Sequence, residues 1–361
     1  MTEQDFILKN VDTSKIVNGS YSWQSPSNIA LVKYWGKSEP QIPKNTSISF
    51  TLSNCHTTTT LEYSKKTSPS NEYNVKVIFE GKINADFKPK IIHFFKRVGK
   101  YIPFITDYDF IIKTENSFPH SSGIASSASG FSALALCLMS IEKKITPNIS
   151  EEFFNQKASF LSRLGSGSAS RSIEGEIVVW GEHKNVPSSS NLYGIKFPFK
   201  VHKNFNNYQD TILLVDKGEK QVSSTIGHNL MHDHPFSQQR FDQANNNISN
   251  ISDILKNGDL AAFVHMVESE ALTLHAMMMT SNPYFILMKP NTLKIIEKIW
   301  EYRKKTNSNL CFTLDAGANV HILFPEKEKE KVNTFITTYL LDFCQNNQYI
   351  CDSVGTGATP L

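Results

Sequence analysis

No apolar run in this chain approaches the ~18 residues that a membrane-spanning helix needs, so no membrane span is expected. The opening residues, Met1-Thr2-Glu3-Gln4-Asp5, lack the basic, apolar and small-residue succession of a secretory signal. Cysteine is scarce: Cys55, Cys137, Cys311, Cys344 and Cys351 are five in number, with no C-x-x-C spacing. That argues against a disulfide framework and a thiolate zinc site, and reads as reduced, mostly buried thiols of a cytoplasmic protein. None of the five has surroundings that suggest a catalytic thiol. The net charge is only +3 over 361 residues, too small and too evenly spread for a nucleic-acid partner. Arg303-Lys304-Lys305 and the alternating Glu326-Lys327-Glu328-Lys329-Glu330-Lys331 read as solvated faces. Neither G-x-x-x-x-G-K-[ST] nor G-x-G-x-x-G occurs at the candidate phosphate loop described below, so neither a P-loop nor a dinucleotide fold follows. No internal repeat stands out.

What is present is an ordinary globular composition, 40% hydrophobic and 20% charged, at a length that suggests two domains. Residues 1–20 are polar and expected to be peripheral. Period-two alternation predicts strands at Ser47-Ile48-Ser49-Phe50-Thr51-Leu52 and Tyr73-Asn74-Val75-Lys76-Val77-Ile78-Phe79. Apolar spacing predicts a helix over 88–99, followed by a strand at 109–114. A helix over 150–163 and a strand over 177–180 come next. The Pro/Ser loop at 185–190 precedes a boundary near residue 200, dividing the chain into 1–200 and 201–361. Beyond it, a strand at 211–215 leads to helices at 236–256, 258–279 and 289–306. Strands at 309–314 and 319–324, a helix over 326–346 and a strand near 348–354 complete an α+β order.

The most informative stretch runs from Ser117 to Phe131, S-F-P-H-S-S-G-I-A-S-S-A-S-G-F, and continues into Ser132-Ala133-Leu134-Ala135-Leu136-Cys137-Leu138-Met139. A small-residue loop feeding an Ala/Leu-rich helix gathers unpaired backbone N–H groups at the positive end of the helix dipole, where phosphate binds readily. The plain alternative is a Ser-rich cap on a buried helix. Asp315 ends a probable strand over 310–314 and precedes Ala316-Gly317-Ala318, so it could face a cleft or simply open a turn. Arg171 follows a Gly/Ser loop, where a planar guanidinium can meet a carboxylate with two parallel hydrogen bonds.

The loop reads as P-x-x-x-G-[LI]-x-S-S-A over 119–128 and resembles the ATP-phosphate loop of the GHMP small-molecule kinase superfamily. Three further segments narrow the resemblance. They are N-I-A-L-V-K-Y-W-G-K over 28–37 with P-K-N-T-S-I-S-F-T-L over 43–52, R-L-G-S-G-S-A-S-R-S over 163–172, and T-L-D-A-G-A-N-V over 313–320. In this order and spacing they resemble the diphosphomevalonate decarboxylase branch, from about residue 20 to the C-terminus. The resemblance implies a two-domain GHMP kinase fold, with an N-terminal ribosomal-protein-S5-domain-2-like half and a C-terminal ferredoxin-like α/β sandwich. It further implies ATP-dependent decarboxylation of mevalonate 5-diphosphate, with Mg²⁺, by transient phosphorylation of the 3-hydroxyl.

By the same resemblance Asp315 would orient or deprotonate that hydroxyl, and Lys33 would favour the ionised carboxylate and offset charge during transfer. Arg171 would hold the substrate carboxylate, oriented by Asn28. Tyr34, Lys37, Ser166 and Ser168 would bind substrate oxygens, and Trp35 reads as core. Ser121, Ser122, Gly123, Ala125, Ser126 and Ser127 would hold the nucleotide, Ser127 also meeting the metal. Homodimerisation is implied by the resemblance alone.

One segment departs from the family pattern. His228, His232 and His234 stand where relatives usually have Met and basic residues. If 228–232 were helical, His228 and His232 would share a face, as metal ligands often do. The alternative expectation is that His228 or His232 replaces part of the basic contribution at the phosphate end, binding more weakly as pH rises from 6 to 8. The alternative activities are a phosphomevalonate decarboxylase or a mevalonate 3-kinase of the same fold. A catalytically silent binding protein is disfavoured by the intact set Asn28, Lys33, Ser127, Arg171 and Asp315.

Overall fold

The computed structural model describes the chain except residues 10, 11, 15, 69, 120–123 and 217–223 and the side chains of 224 and 225. Its first half runs β1 (Asn18–Val32), the short hairpin β2 (Lys37–Ser38) and β3 (Ile42–Pro43), and β4 (Ser47–Lys65). Then come β5 (Val75–Phe79), β6 (Lys82–Ile83), α1 (Lys88–Val98), β7 (Tyr108–Asn116), α2 (Ser126–Ile145), α3 (Glu151–Gly165), β8 (Ile177–Trp180) and β9 (Gly194–Lys196). The second half holds β10 (Gln209–Leu213), α4 (Ser224–Asn229), α5 (Ser237–Asn257), α6 (Leu260–Met279), α7 (Pro290–Thr306), β11 (Cys311–Thr313), β12 (Val320–Phe324), α8 (Lys329–Tyr339), β13 (Tyr349–Ser353) and β14 (Thr359–Pro360).

The first sheet has the order β14-β1-β4-β7-β5-β6, with β8 on the N-terminal part of β4 and β9 beyond it. β4 can serve both neighbours because it changes character along its length. From Cys55 to Tyr63 it alternates buried and half-exposed residues, the period of a one-sided strand, whereas Ser47 to Leu52 are buried on both faces. Helix α2 lies against β1, β4 and α3, burying Leu134 to Met139 in the core of this half.

The second sheet is antiparallel, β11-β12-β10-β13, and packs with α6, α7 and α8. The two halves share a core in which Ile29, Leu31 and Phe50 meet Ile212, Phe263 and Val267. The chain end reinforces that union: Thr359 and Pro360 pair with Gln24 and Trp23 of β1. The Asp352 carboxylate accepts the backbone N–H groups of Ser53, Asn54 and Cys55 at 2.8 Å each.

Three expectations need correction. The helix foreseen over 326–346 ends at Tyr339, and two 3-10 turns follow, Leu341–Phe343 and Gln345–Asn347. Asn346 and Asn347 take left-handed backbone angles, φ 53° and 54°, which asparagine tolerates and a helix does not. The polar N-terminus is not peripheral throughout, since Phe6 is wholly buried and stacks on Phe160 with ring centroids 4.4 Å apart. One aromatic anchor outweighs the average polarity of its segment. Finally, α4 stops at Asn229, so no helix spans His228 to His232.

Candidate functional site

The edge of β1 delivers the first reactive group. Pairing of β1 with β4 ends at Val32↔Ile48, and the next residue, Lys33, is 2% exposed. Its Nζ lies 2.9 Å from Oδ1 of Asp315, which stands in the loop after β11. That loop is fixed from two sides. Gly317 donates its N–H to the Asp315 carbonyl at 2.7 Å, and His275 Nε2 lies 3.2 Å from the same oxygen. Burial holds the His275 imidazole down to about 4, so it is neutral and donates from Nε2.

Arg171 closes the 3-10 turn Gly167–Arg171 and is 3% exposed. Its Nε donates to Ser49 Oγ at 2.5 Å and a terminal nitrogen donates to Ser47 Oγ at 2.6 Å. Two residues apart on β4, these serines share a face. Among the described residues no carboxylate lies within ion-pair distance of this guanidinium. Burial lowers its pKa to about 10, opposed by Asp315 and Tyr34, so it stays cationic at neutral pH. A buried cation held by neutral hydroxyls and faced by the Trp180 ring at 5.8 Å calls for an anion from outside.

Asn28 was expected to orient Arg171 and the carboxylate it holds. Instead its Nδ2 donates to the Ser168 carbonyl and the Ser172 hydroxyl, at 3.1 and 2.8 Å, holding the turn that carries the arginine. The orienting groups on Arg171 itself are Ser47 and Ser49, which sequence reasoning missed. The signal was there: an S-x-S alternation on a strand otherwise apolar at those points. Among the described residues the buried Asn28 Oδ1 and Tyr34 hydroxyl find no hydrogen-bond partner, and both residues belong to the same cavity wall. Burial also raises the Tyr34 phenol well above its ordinary range, so it remains a neutral donor.

Asn28, Lys33, Tyr34, Arg171 and Asp315 line one cavity of about 140 Å³, together with Trp35, Ala125, Ser126, Ser127, Ser166, Ser168 and His228. Trp35 is 4% exposed and packs with Met231, Leu274, Met277 and Met278, so it is core and wall at once. Ala125 precedes α2 with φ 42°, and among the described residues no side chain caps the helix start; the Ala128 N–H meets the Ala125 carbonyl at 2.7 Å, which leaves those of Ser126 and Ser127 for a ligand. Ser121, Ser122 and Gly123 lie outside the described residues. A second cavity of about 100 Å³ adjoins the first at Ser126 and Ser127. Val77, Phe79, Phe87, Ile91, Ile112 and Phe131 make its walls mostly apolar. No motif announced this second cavity, since its walls come from five separated segments.

Two residues are not brought into the cavity wall. Lys37 is buried beside it, bonded to Gln41 Oε1 at 3.1 Å and 3.4 Å from Glu39 Oε1. His232 is exposed and absent from the lining. His228 does line it, but not as a cation. Its ring sits 4.3 Å from Tyr34 and 4.7 Å from Trp35, and Nδ1 accepts the Gly36 N–H at 3.0 Å. Burial, Lys37 and Arg171 together push its pKa down to about 3. The neutral tautomer with hydrogen on Nε2 follows. His234 is bound elsewhere, with Nε2 at 3.0 Å from the Met277 carbonyl. Among the described residues no three His, Cys, Asp or Glu could hold a metal ion.

A carboxylate–ammonium pair, an unmatched buried guanidinium and an uncapped helix start around one cavity define a site for phosphoryl transfer to a small acidic molecule. Residues 25–191 match the diphosphomevalonate decarboxylase-like N-terminal domain family, and residues 211–356 match the mevalonate 5-diphosphate decarboxylase C-terminal domain family. The chain belongs to the diphosphomevalonate decarboxylase family. A diphosphomevalonate decarboxylase of Ganoderma lucidum is 28% identical over 337 residues, covering 87% of this chain and 80% of that one. A phosphomevalonate decarboxylase of Haloferax volcanii is 26% identical over 307 residues, covering 84% and 87%. The mevalonate diphosphate decarboxylase structure from Staphylococcus aureus superposes with a TM-score of 0.81 at 25% identity, covering 97% of this chain and 100% of that one. That from Enterococcus faecalis gives 0.79 at 26% identity, covering 95% and 98%. A related structure, in complex with MVAPP, AMPPCP and magnesium, gives 0.80 at 27% identity, covering 95% and 98%.

Proposed function

We propose that this chain catalyses the ATP-dependent decarboxylation of mevalonate 5-diphosphate to isopentenyl diphosphate, ADP, phosphate and CO2. The observation that carries this is Arg171, a buried cation without a carboxylate partner, on the wall shared with the Lys33–Asp315 pair. A kinase needs only the hydroxyl-facing carboxylate and the nucleotide site. A decarboxylase must also hold a carboxylate in place, and Arg171 offers the fork for it.

The substrate's 3-hydroxyl, oriented or deprotonated by Asp315, attacks the γ-phosphorus of ATP, and ADP leaves. The C3–O bond then breaks with loss of phosphate. Electrons of the breaking bond to the carboxylate form the new double bond, and CO2 departs. Arg171 fixes the carboxylate so that this bond lies anti to the leaving phosphate, which is a task of orientation. Lys33 stabilises charge on Asp315 and the transferring oxygens. Tyr34, Ser166, Ser168 and His228 bind the substrate's remaining oxygens, His228 as a neutral donor, with Lys37 adding positive charge from behind the wall.

Ala125, Ser126 and Ser127, with Ser121, Ser122 and Gly123, take the nucleotide phosphates, and the adjoining apolar cavity takes the base. Among the described residues no His, Cys, Asp or Glu cluster could hold Mg²⁺, and the Ser127 hydroxyl would suit its preference for hard oxygen ligands. Bound there, it would neutralise charge between the phosphates.

The division of labour assigns 1–200 to the nucleotide half and 201–361 to the half that supplies Asp315. We also infer a homodimer in the cytoplasm. The compartment is supported by five free thiols, four of them buried, and by the lack among the described residues of a helix able to cross a membrane. The substrate choice is tested by kcat/KM for mevalonate carrying no, one or two 5-phosphates, with ATP and Mg²⁺. Preference for the diphosphate supports the reading. Preference for the monophosphate would align the chain with the activity named for the Haloferax volcanii relative.

A further inference from the structure

Outside the cavity wall, one cluster of charge is unexplained by the chemistry above. Arg240 of α5 and Glu270 of α6 form an ion pair whose side chains are fully buried. One terminal nitrogen of Arg240 donates to Glu270 Oε1 at 3.0 Å and the other to Oε2 at 2.5 Å. Asn247 Nδ2 also donates to Oε1, at 2.6 Å. Fully desolvated pairs of this kind seldom stabilise a fold more than apolar residues of the same shape. Here the arrangement even leaves Arg240 Nε buried without a partner among the described residues.

Both members of the pair reach the same residue in the other half of the chain. Glu270 Oε2 accepts the Lys33 N–H at 2.9 Å, and the second Arg240 nitrogen donates to the Lys33 carbonyl at 3.3 Å. Lys33 lies one residue past the end of the β1–β4 ladder, so sheet pairing no longer satisfies its peptide groups. Side chains replace the ladder: Glu270 on the N–H, and Arg240 with Asn45 (2.9 Å) on the carbonyl. The direction in which Lys33 leaves the strand, and hence the 2.9 Å approach of its Nζ to Asp315, depends on this frame.

We propose that Arg240 and Glu270 are positioning residues for the reaction, a buried bracket from the second half that aims Lys33 of the first half at Asp315. This rests on the roles given above to Lys33 and Asp315. The bracket touches neither substrate nor nucleotide, so its loss lowers the rate of the chemical step while leaving ligand binding in place. Gln at 270 would turn an amide donor toward Arg240 or the Lys33 N–H. Lys at 240 keeps the charge opposite Glu270 but cannot hold both its carboxylate oxygens and the Lys33 carbonyl.

The test measures kcat and both KM values for Glu270→Gln and Arg240→Lys, at a temperature where circular dichroism shows each fully folded. Glu270→Gln should lose roughly 30-fold in kcat, and Arg240→Lys roughly fivefold, with KM for ATP and mevalonate 5-diphosphate within about threefold of wild type. If Glu270→Gln does not fold, Arg240→Lys decides by the same criterion. A kcat within about twofold of wild type in the folded variants overturns the proposal, as does failure of both to fold, which makes the pair a stability element only. Asp315→Asn, run alongside, separates the two levels. An active Asp315→Asn removes the underlying reading, whereas an inactive one beside normal bracket variants removes this inference alone.

Discussion

Nζ of Lys33 and Oδ1 of Asp315 meet at 2.9 Å across 282 residues of sequence, the ammonium almost wholly buried and the carboxylate 29% exposed. That asymmetry suits their tasks. The cation is locked by its surroundings, while the carboxylate belongs to the cavity lining, where a hydroxyl can reach it.

Replacing Asp315 by Asn removes charge and basicity while keeping shape. The expected outcome is a folded protein that still binds ATP and has lost at least about a hundredfold in kcat. Retention of more than a tenth of wild-type kcat, less than ~1.4 kcal/mol of barrier, would rule the carboxylate out as the essential group.

Arg171→Lys conserves charge but not the fork. An ammonium cannot donate to Ser47 and Ser49 as the guanidinium does and still present two parallel donors to a ligand. The ratio of CO2 released to ATP cleaved is the quantity to follow, and it should fall well below that of the wild type. A ratio and rate near wild type would dissolve the carboxylate-clamp role.

Much of this arrangement was legible in the sequence because motif residues had recognisable neighbours. Lys33, Arg171 and Asp315 stand in strings that resemble a known family, and period-two alternation marks parts of β4 and β5 in the first sheet. What escaped were contacts between distant segments. The Arg240–Glu270 bracket lies on two helices whose apolar spacing says only that one face is buried. Asn28 looked like a partner of Arg171 but holds the carbonyl of Ser168, a difference of one turn of backbone that no linear pattern encodes. His228 looked like a titrating cation because three histidines cluster in sequence; burial between two aromatic rings reversed that.

His228 and His275 make the folded protein sensitive to acid. The unfolded chain takes up these protons as pH falls through ~6.5. The folded chain does not accept them until about 4 for His275 and about 3 for His228. Stability is therefore lost as pH falls from ~6.5 to about 4 for His275 and to about 3 for His228, on the order of 2 kcal/mol per histidine by pH 5. Denaturant midpoints at pH 7 and 5 should show a smaller acid loss in His228→Gln than in wild type; equal losses would mean that His228 is protonated in the fold.

The same neutrality changes the outlook for substrate binding. KM for the diphosphate should not rise between pH 6 and 8 on account of His228, and His232→Ala, an exposed change away from the cavity wall, should leave KM within about twofold of wild type. A histidine-dependent rise in KM over that range would restore a cationic role.

Ser127→Ala removes the one hydroxyl assigned to the metal. The Mg²⁺ concentration giving half-maximal rate should rise several-fold at fixed ATP, since an oxygen ligand is lost while the phosphate oxygens remain. An unchanged Mg²⁺ dependence would move the metal contact elsewhere.

The central claim is that phosphorylation and decarboxylation are one process at this site. Its most direct test is the stoichiometry of ADP, phosphate and CO2 formed by the purified protein from mevalonate 5-diphosphate, ATP and Mg²⁺. Equal amounts of all three, with no CO2 when ATP is omitted, are the predicted result. ADP formed without CO2 would make the chain a kinase, and release of neither would contradict the account altogether.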